Sequence, residues 1–212
     1  MGLRVKDGVV LAVEKPIHSR LLKPQANRRI HTVELHAGVV GAGLIADCRA
    51  LANRAREECA SHRETFEAAM PGGMLADRVA MYVQAYTLYG SVRPFCANLL
   101  VAAVDADGPY LSMIEPSGVY WGYRACAAGK GRQTARTELE KLDLEGMQTR
   151  EAVMEAAKII YLAHDEAKDK EFELEISWIG PETNGQHQLV PPELLQNAIK
   201  AAKEHLASRM DY

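Results

Sequence analysis

The chain has 212 residues, enough for one domain with a sizeable core, and its 48% hydrophobic and 25% charged residues are ordinary for a globular protein. Its 25 basic and 28 acidic residues give a net charge of −3, so no basic excess indicates binding to nucleic acid or to a membrane surface. No apolar stretch approaches the roughly 20 residues that a membrane span requires. We therefore expect neither a nucleic-acid nor a membrane partner.

The first part of the sequence predicts two pairs of strands. Two β-rich runs, Leu3–Val5 and Val9–Val13, are separated by a short turn. The polar stretch Lys15–Arg28 contains two prolines and predicts an exposed loop. The runs Ile30–Leu35 and Ala37–Val40 then predict the second pair of strands.

Residues 41–47, Gly-Ala-Gly-Leu-Ile-Ala-Asp, join the second strand pair to a helix. The helix is indicated by small and apolar residues that recur at three- and four-residue steps, namely Cys48, Leu51, Ala52, Ala55 and Cys59. Asp47 suits a cap or first-turn position. The segment also fits the dinucleotide fingerprint G-x-G-x-x-G/A, but that fingerprint requires a second strand after the helix. A second helix, over Leu75–Tyr89, is predicted instead, so a dinucleotide-binding enzyme remains a third and weak alternative, and no cofactor is expected.

The second helix is predicted from one apolar stripe, comprising Leu75, Val79, Tyr82, Val83, Tyr86 and Tyr89. Four strands follow, over Ala97–Val104, Tyr110–Ile114, Val119–Tyr123 and Ala125–Ala128. Two further helices are predicted, one over Arg132–Leu142 and one beginning at Arg150, whose apolar face extends to Ala167.

The last part of the sequence predicts two strands and a helix. Phe172, Leu174, Ile176 and Trp178 alternate with Glu171, Glu173, Glu175 and Ser177, which predicts a half-buried strand. Asn184-Gly185 favours a tight hairpin into Gln188–Val190, and Pro192 begins the final helix. Strands joined by hairpins and helices in pairs predict an α+β fold of two stacked, mainly antiparallel sheets with helices outside each, in a single domain over residues 1–212.

The cysteines and histidines predict neither a disulfide nor a metal site. Cys48 and Cys59 lie about three turns apart on one predicted helix, roughly 16 Å, which is too far for a disulfide bond. There is no C-x-x-C spacing, and the 7 histidines form no metal-binding motif. We expect reduced thiols and a location in the cytoplasm and nucleus.

Several motifs resemble those of one family, the proteasome α-subunits. Residues 41–49 resemble its G-L-x-A-D-A-R stretch, and Tyr86–Tyr89 with Arg93-Pro94-Phe95 resembles its Y-T-x-x-x-x-x-R-P-F segment. Pro116–Gly118 and Ala128–Gly131 resemble its D-P-S-G and A-I-G-x-G turns. Within the family, residues 75–82 and 159–166 are most similar to the eukaryotic α-type 3 subunits, which occupy the seventh position of the α-ring.

The resemblance implies a four-layer αββα sandwich like that of N-terminal-nucleophile hydrolases. It also implies a non-catalytic subunit of the seven-membered outer α-ring of the 20S particle, one that supports ring assembly, substrate gating and regulator docking. The expected partners are other α-subunits, the β-ring subunits and proteasome regulators. Family members begin with a gate segment and a first helix, and the sequence aligns from beyond them, so gating by this subunit depends on whether that segment is present.

The resemblance also bears on catalysis. An N-terminal nucleophile would lie upstream of Met1 in the family alignment, and Glu14 and Arg29 occupy the positions where active β-subunits carry an aspartate and a lysine. Arginine does not release a proton near neutral pH. We expect no catalytic residue in this chain. The alternative is an active threonine-type peptidase subunit whose mature N-terminus is missing.

In the family, a lysine before the third strand and the glycine of G-L-x-A-D line a pocket for the terminal carboxylate of a regulator's tail. The matching residues here are Arg29 and Gly43, with Leu44 beside them. A guanidinium can bind a carboxylate with two hydrogen bonds, and a helix N-terminus attracts anions. The alternative interpretation is that Arg29 is merely solvated and that Gly43 only makes the turn.

Overall fold

The computed structural model describes residues 1–17, 19, 21–23, 26–164 and 171–210, with backbone only for 209 and 210. Within these residues the strands are β1 Gly2–Val5, β2 Gly8–Pro16, β3 Ile30–Glu34, β4 Ala37–Gly43, β5 Ala97–Asp105, β6 Gly108–Ile114, β7 Tyr120–Gly122, β8 Ala125–Cys126, β9 Phe172–Ile179 and β10 Gln188–Leu189. The helices are α1 Ile45–Phe66, α2 Gly72–Ala85, α3 Arg132–Leu139, α4 Thr149–Ala163 and α5 Pro192–Met210, with a 3-10 turn at Pro181–Thr183.

The strands form two antiparallel sheets of five strands each among the described residues. Sheet A has the order β10-β9-β2-β1-β8, and sheet B has the order β3-β4-β5-β6-β7. The predicted order of strands and helices along the chain is confirmed element by element. The order could be predicted because short turns join the paired strands and each helix has its own apolar periodicity.

Three apolar layers hold the sandwich together. Between the sheets lie Val9, Leu11, Ile30, Val40, Leu100, Ala102, Leu111, Cys126 and Ile179. The outer face of sheet A packs on α3, α4 and α5, and the outer face of sheet B packs on α1 and α2. Burying both faces of each sheet gives the four layers αββα, so the predicted α+β sandwich is confirmed.

The predicted loop Lys15–Arg28 begins too early. Lys15 and Pro16 belong to β2, where they pair with Glu173 and Phe172 of β9. Lys15 is only 3% exposed because its side chain lies between the sheets and its ammonium contacts two carboxylates. The sequence predicted Lys15 to lie in an exposed loop because a lysine before a proline is typical of the start of a loop.

The prediction that β9 is half-buried is wrong from Leu174 onward, where both faces of the strand are covered, although Glu173 near its start is exposed. Leu174, Ile176 and Trp178 pack against the helices, as predicted, while Glu175 and Ser177 are buried against sheet B. Smaller differences concern α2, which ends at Ala85, and Tyr89, which is exposed instead of lying on the apolar stripe. The predicted position of Ala167 on the face of α4 lies outside the described residues.

Candidate functional site

The segment between β4 and α1 is the predicted strand-to-helix hinge. β4 ends at Gly43 and α1 begins at Ile45. Gly43 has a φ of +146°, and a Cβ there would lie 2.3 Å from the Cys96 carbonyl oxygen. The Leu44 N–H donates to that same oxygen at 2.8 Å. Gly43 is therefore needed for a close backbone approach, and α1 is followed by α2, without the second strand that a dinucleotide site would need.

Asp47, in the first turn of α1, fastens this end of the helix to the segment that leads into β5. Its carboxylate accepts two hydrogen bonds from the Arg93 guanidinium, at 2.7 and 2.8 Å, and a third from the Cys96 N–H at 2.9 Å. These donors, Arg93 foremost, lower the pKa of Asp47 despite its burial. We call the set Asp47, Arg93 and Cys96 the α1 lock. The sequence patterns indicated no role for Arg93, which belongs to the R-P-F motif, or for Cys96, which directly follows that motif.

Arg29 lies directly before β3, whose ladder with β4 starts at the pair Ile30–Val40. The register therefore places the backbone of Arg29 beside Gly41, two residues before Gly43. The Arg29 Nε donates to Asn27 Oδ1 at 2.9 Å, and the guanidinium is only partly buried. Burial lowers the pKa of Arg29, and electrostatic interaction with Cys48 of α1 acts in the opposite direction. The association of the Arg29 guanidinium with Gly43 and Leu44 stays a prediction.

The end of α1 nearest Arg29 is open to an anion. Gly43 and Leu44 are exposed, and Leu44, the N-cap residue, offers no side-chain hydrogen bond to the first turn. The first N–H groups of a helix have no intrahelical acceptors, and they carry a partial positive charge. The Leu44 N–H is already bonded to the Cys96 carbonyl, and the first intrahelical bond comes from the Cys48 N–H, so the remaining first-turn N–H groups are those of Ile45, Ala46 and Asp47. Backbone N–H groups at a helix N-terminus are a donor type that can bind a carboxylate.

Other features of the molecule lie apart from this site. A cavity of about 500 Å³ beside β8 and α3 is lined by residues that include Arg124, Arg136 and Leu139, and none of the three predicted site residues contributes to it. Glu14 Oε1 accepts a hydrogen bond from His164 Nδ1 at 2.9 Å, on the helix side of sheet A. In the described part of the chain, no group of three or more histidines, cysteines or acidic residues could hold a metal ion. None of its helices could cross a membrane.

Comparison with known proteins adds the decisive observation. The family model described as "Proteasome subunit" matches residues 1–179. The chain belongs to the proteasome subunit family. It is 54% identical to "Proteasome subunit alpha type-3" of Acanthamoeba castellanii over 211 residues, covering 100% of this chain and 84% of the relative. It is 50% identical to "Probable proteasome subunit alpha type-7" of Schizosaccharomyces pombe, covering 96% of this chain and 80% of the relative.

A further relative of the same family, "Proteasome subunit alpha type-3" of Spinacia oleracea, is 50% identical over 100% of this chain and 84% of its own length. The resemblance to proteasome α-subunits, and to the α-type 3 subunits within them, is thereby confirmed. The motifs that carried it coincide with structural contacts: the G-L-x-A-D and R-P-F segments meet in the α1 lock. The ion pair between Asp47 and Arg93 thus joins two motifs that are 46 residues apart in the sequence.

Proposed function

We propose that the chain is a non-catalytic structural subunit of the outer α-ring of the 20S proteasome, with residues 1–212 as a single domain. It supports ring assembly, substrate gating and regulator docking. Its partners are other α-subunits in a seven-membered ring, β-ring subunits and regulators, in the cytoplasm and nucleus. The observation that carries this proposal is the similarity over the whole chain to relatives named as α-type subunits. Mixing the chain with partner subunits tests it: incorporation into a particle of several hundred kilodaltons supports assembly, whereas a persistent monomer contradicts it.

The non-catalytic role is supported by the two positions that resemble an active subunit's machinery. Glu14 is paired with His164, and the Arg29 guanidinium is bonded to Asn27, so each has its own separate partner. An arginine at position 29 cannot exchange a proton near neutral pH. The alternative, an active threonine-type peptidase, is tested with a fluorogenic peptide and intact mass measurement. Turnover, or covalent modification of the first residue by a threonine-directed electrophile, would contradict the proposal.

We further propose that Arg29, Gly43 and Leu44 form a receptor for the terminal carboxylate of a regulator's tail. The Arg29 guanidinium supplies charge and two parallel donors, and the N-terminus of α1 supplies backbone N–H groups. Gly43 allows the chain to turn beneath the ligand, and the exposed Leu44 side chain offers an apolar contact. Support comes from the exposure of this helix end and from the register that places Arg29 beside β4.

Substitution of Arg29 tests the receptor directly. Since hydrogen bonds to a charged group contribute about 1.5–3 kcal/mol, we expect Arg29→Ala to weaken binding of a tail peptide to the assembled ring by about ten- to a hundredfold. Arg49→Ala, which removes a neighbouring exposed charge from α1, is the matched control and should change binding by roughly threefold or less. A peptide with an amidated C-terminus should be insensitive to both. Equal binding by wild type and Arg29→Ala would rule out the receptor.

A further inference from the structure

Glu175 is a buried carboxylate with one satisfied and one unsatisfied oxygen. It lies on β9 with its side chain between the two sheets, 7% exposed. Its Oε2 accepts the backbone N–H of Arg29 at 3.1 Å and lies 3.3 Å from the Lys15 ammonium. Its Oε1 is buried and has no hydrogen-bond partner among the described residues. A buried acceptor without a partner is uncommon and costs free energy, so this residue calls for an explanation.

The neighbourhood of Glu175 is electrically balanced. Lys15 lies between Glu173 at 3.2 Å and Glu175 at 3.3 Å. The backbone N–H of Arg29 binds the same carboxylate, and the interaction with Glu175 favours the charged form of the Arg29 guanidinium. The positive charges of Lys15 and Arg29 are thus opposed by the negative charges of Glu173 and Glu175. An incoming anion therefore meets a guanidinium whose charge is already partly offset from within the protein.

We propose that Glu175 positions Arg29 and offsets part of its charge, and so sets how strongly the proposed carboxylate receptor attracts a tail. This inference rests on the proposed receptor. The bond to the Arg29 N–H fixes the chain where β3 begins, across 146 residues of sequence and from the opposite sheet. The negative charge of Glu175 lowers the electrostatic gain when a carboxylate binds, because two anions then share one guanidinium. Glu175 is a positioning residue, since it acts through Arg29 and not on the ligand.

The chain offers a matched pair of variants. Glu175→Gln removes the charge but keeps an oxygen for the Arg29 N–H, and the new amide group can occupy the side of Oε1, where no partner is displaced. Glu173→Gln removes the same charge beside the same lysine, yet no hydrogen bond joins Glu173 to Arg29 in the described contacts. Glu173 is 46% exposed and Glu175 only 7%, so a difference in peptide binding between the two variants is assigned to the link to Arg29 together with the amide exchange of Arg29.

The first readout is binding of an acetylated hexapeptide of uncharged residues with a free C-terminal carboxylate, measured on the assembled ring. We expect Glu175→Gln to tighten binding by roughly fivefold and to steepen its salt dependence, as expected for a charge pair close to the protein surface. Glu173→Gln should stay within about twofold of wild type. The amidated hexapeptide should not respond. Unchanged or weaker binding by Glu175→Gln would overturn the inference.

The second readout is independent of any ligand. Amide hydrogen exchange of Arg29 in the full chain should be as slow in Glu175→Gln as in wild type, and about tenfold or more faster in Glu175→Ala, because only the alanine removes the acceptor. Glu173→Ala should leave that exchange unchanged. Equal exchange in Glu175→Ala and Glu173→Ala would show that Glu175 does not position Arg29. If exchange responds as expected but Arg29→Ala leaves peptide binding unchanged, the receptor fails while the positioning contact stands.

Discussion

Two polar regions connect distant parts of the chain, and they differ in how completely their groups are paired. In the α1 lock, the Asp47 carboxylate receives three hydrogen bonds, and its guanidinium partner Arg93 is largely in water. The second region, which we call the inter-sheet polar layer, consists of Lys15, Glu175, Ser177 and His187 between β9 and sheet B. There the ions are buried and one carboxylate oxygen is unpaired.

The difference in pairing suggests different roles for the two regions: the first stabilises a connection, and the second influences Arg29. The α1 lock joins the first turn of α1 to the segment before β5, and its arginine loses little free energy to desolvation, because Arg93 remains solvated while it bonds the buried Asp47. The inter-sheet polar layer requires two ions to leave water, which well-packed apolar side chains would avoid. Because burial of these ions costs desolvation free energy, we expect them to have a role beyond packing, and Glu175 is the one that bonds the Arg29 N–H. Substitutions in the two regions should therefore differ in size and in their response to pH.

The largest effect is expected from Lys15→Met. Removing the cation deprives the buried Glu175 carboxylate of the ammonium 3.3 Å away, and breaking one side of a buried ion pair costs about 3–5 kcal/mol. The free energy of unfolding, measured by urea denaturation at neutral pH, should fall by about 4 kcal/mol. Lys141→Met, which breaks an exposed pair with Glu138, serves as the control and should lose about 0.5 kcal/mol or less.

The double variant Lys15→Met, Glu175→Gln decides between loss of packing and loss of charge. If the cost of Lys15→Met arises from the unpaired carboxylate, neutralising Glu175 should restore most of the lost free energy, a strong non-additivity between neighbours. The glutamine still offers an oxygen to the Arg29 N–H. Additive losses would mean that Lys15 acts through the packing of its methylene chain. The buried charge would then not distinguish the inter-sheet polar layer from the α1 lock.

The inter-sheet polar layer also marks where sequence reasoning reached its limit. Alternation of apolar and acidic residues in β9 predicted one face in water, because glutamates usually line solvent. The partners that allow burial of Glu175, namely Lys15 and the Arg29 backbone, are distant in the sequence, and no local pattern reports them. The same holds for Asp47 and Arg93, which are 46 residues apart.

By contrast, the order of the elements and the hinge at Gly43 followed from local periodicity and from glycine placement. The association of Arg29 with Gly43 and Leu44 followed only from the family resemblance, and it stays a prediction. Helix faces were readable for the same local reason: the small residues Ala52 and Ala55 recur at helical spacing and are fully buried against sheet B. Polar pairs between residues far apart in the sequence could not be predicted, because no short stretch of sequence contains both partners.

The next effect concerns His187, which spans the two sheets. Its Nδ1 is 2.8 Å from Thr32 Oγ1, its Nε2 is 2.9 Å from Ser177 Oγ, and a Cβ on Gly38 would overlap its ring. Burial lowers the pKa of His187 to about 4. The unfolded chain, with an ordinary histidine pKa of about 6.5, binds a proton first, so stability is full above pH 6.5 and falls as the pH drops towards 4.

A shift of this size corresponds to about 3 kcal/mol of stability lost between pH 6.5 and pH 4. His187→Gln keeps a donor and an acceptor but does not titrate. The unfolding free energy of wild type minus that of His187→Gln should therefore decline over this pH range and level off below it. Urea denaturation at several pH values measures the difference. Parallel curves for the two proteins would show that His187 is not held neutral between the sheets.

The smallest effect is expected in the α1 lock, where Asp47→Asn weakens bonds to a largely solvated partner. We expect a loss of about 1–2 kcal/mol, mainly from the bond between a charged acceptor and the Cys96 N–H. Because the pKa of Asp47 is lowered in the folded state, its contribution is present above the unfolded value of about 4 and is lost as the pH falls further. The pH dependence is thus confined to a more acidic range than that of His187.

Arg93→Ala should cost no more free energy of unfolding than Asp47→Asn, and the double variant should cost less than the sum of the two, since both substitutions remove the same pair. A loss in Asp47→Asn that matches Lys15→Met would mean that solvation of Arg93 gives the lock no advantage over a buried pair.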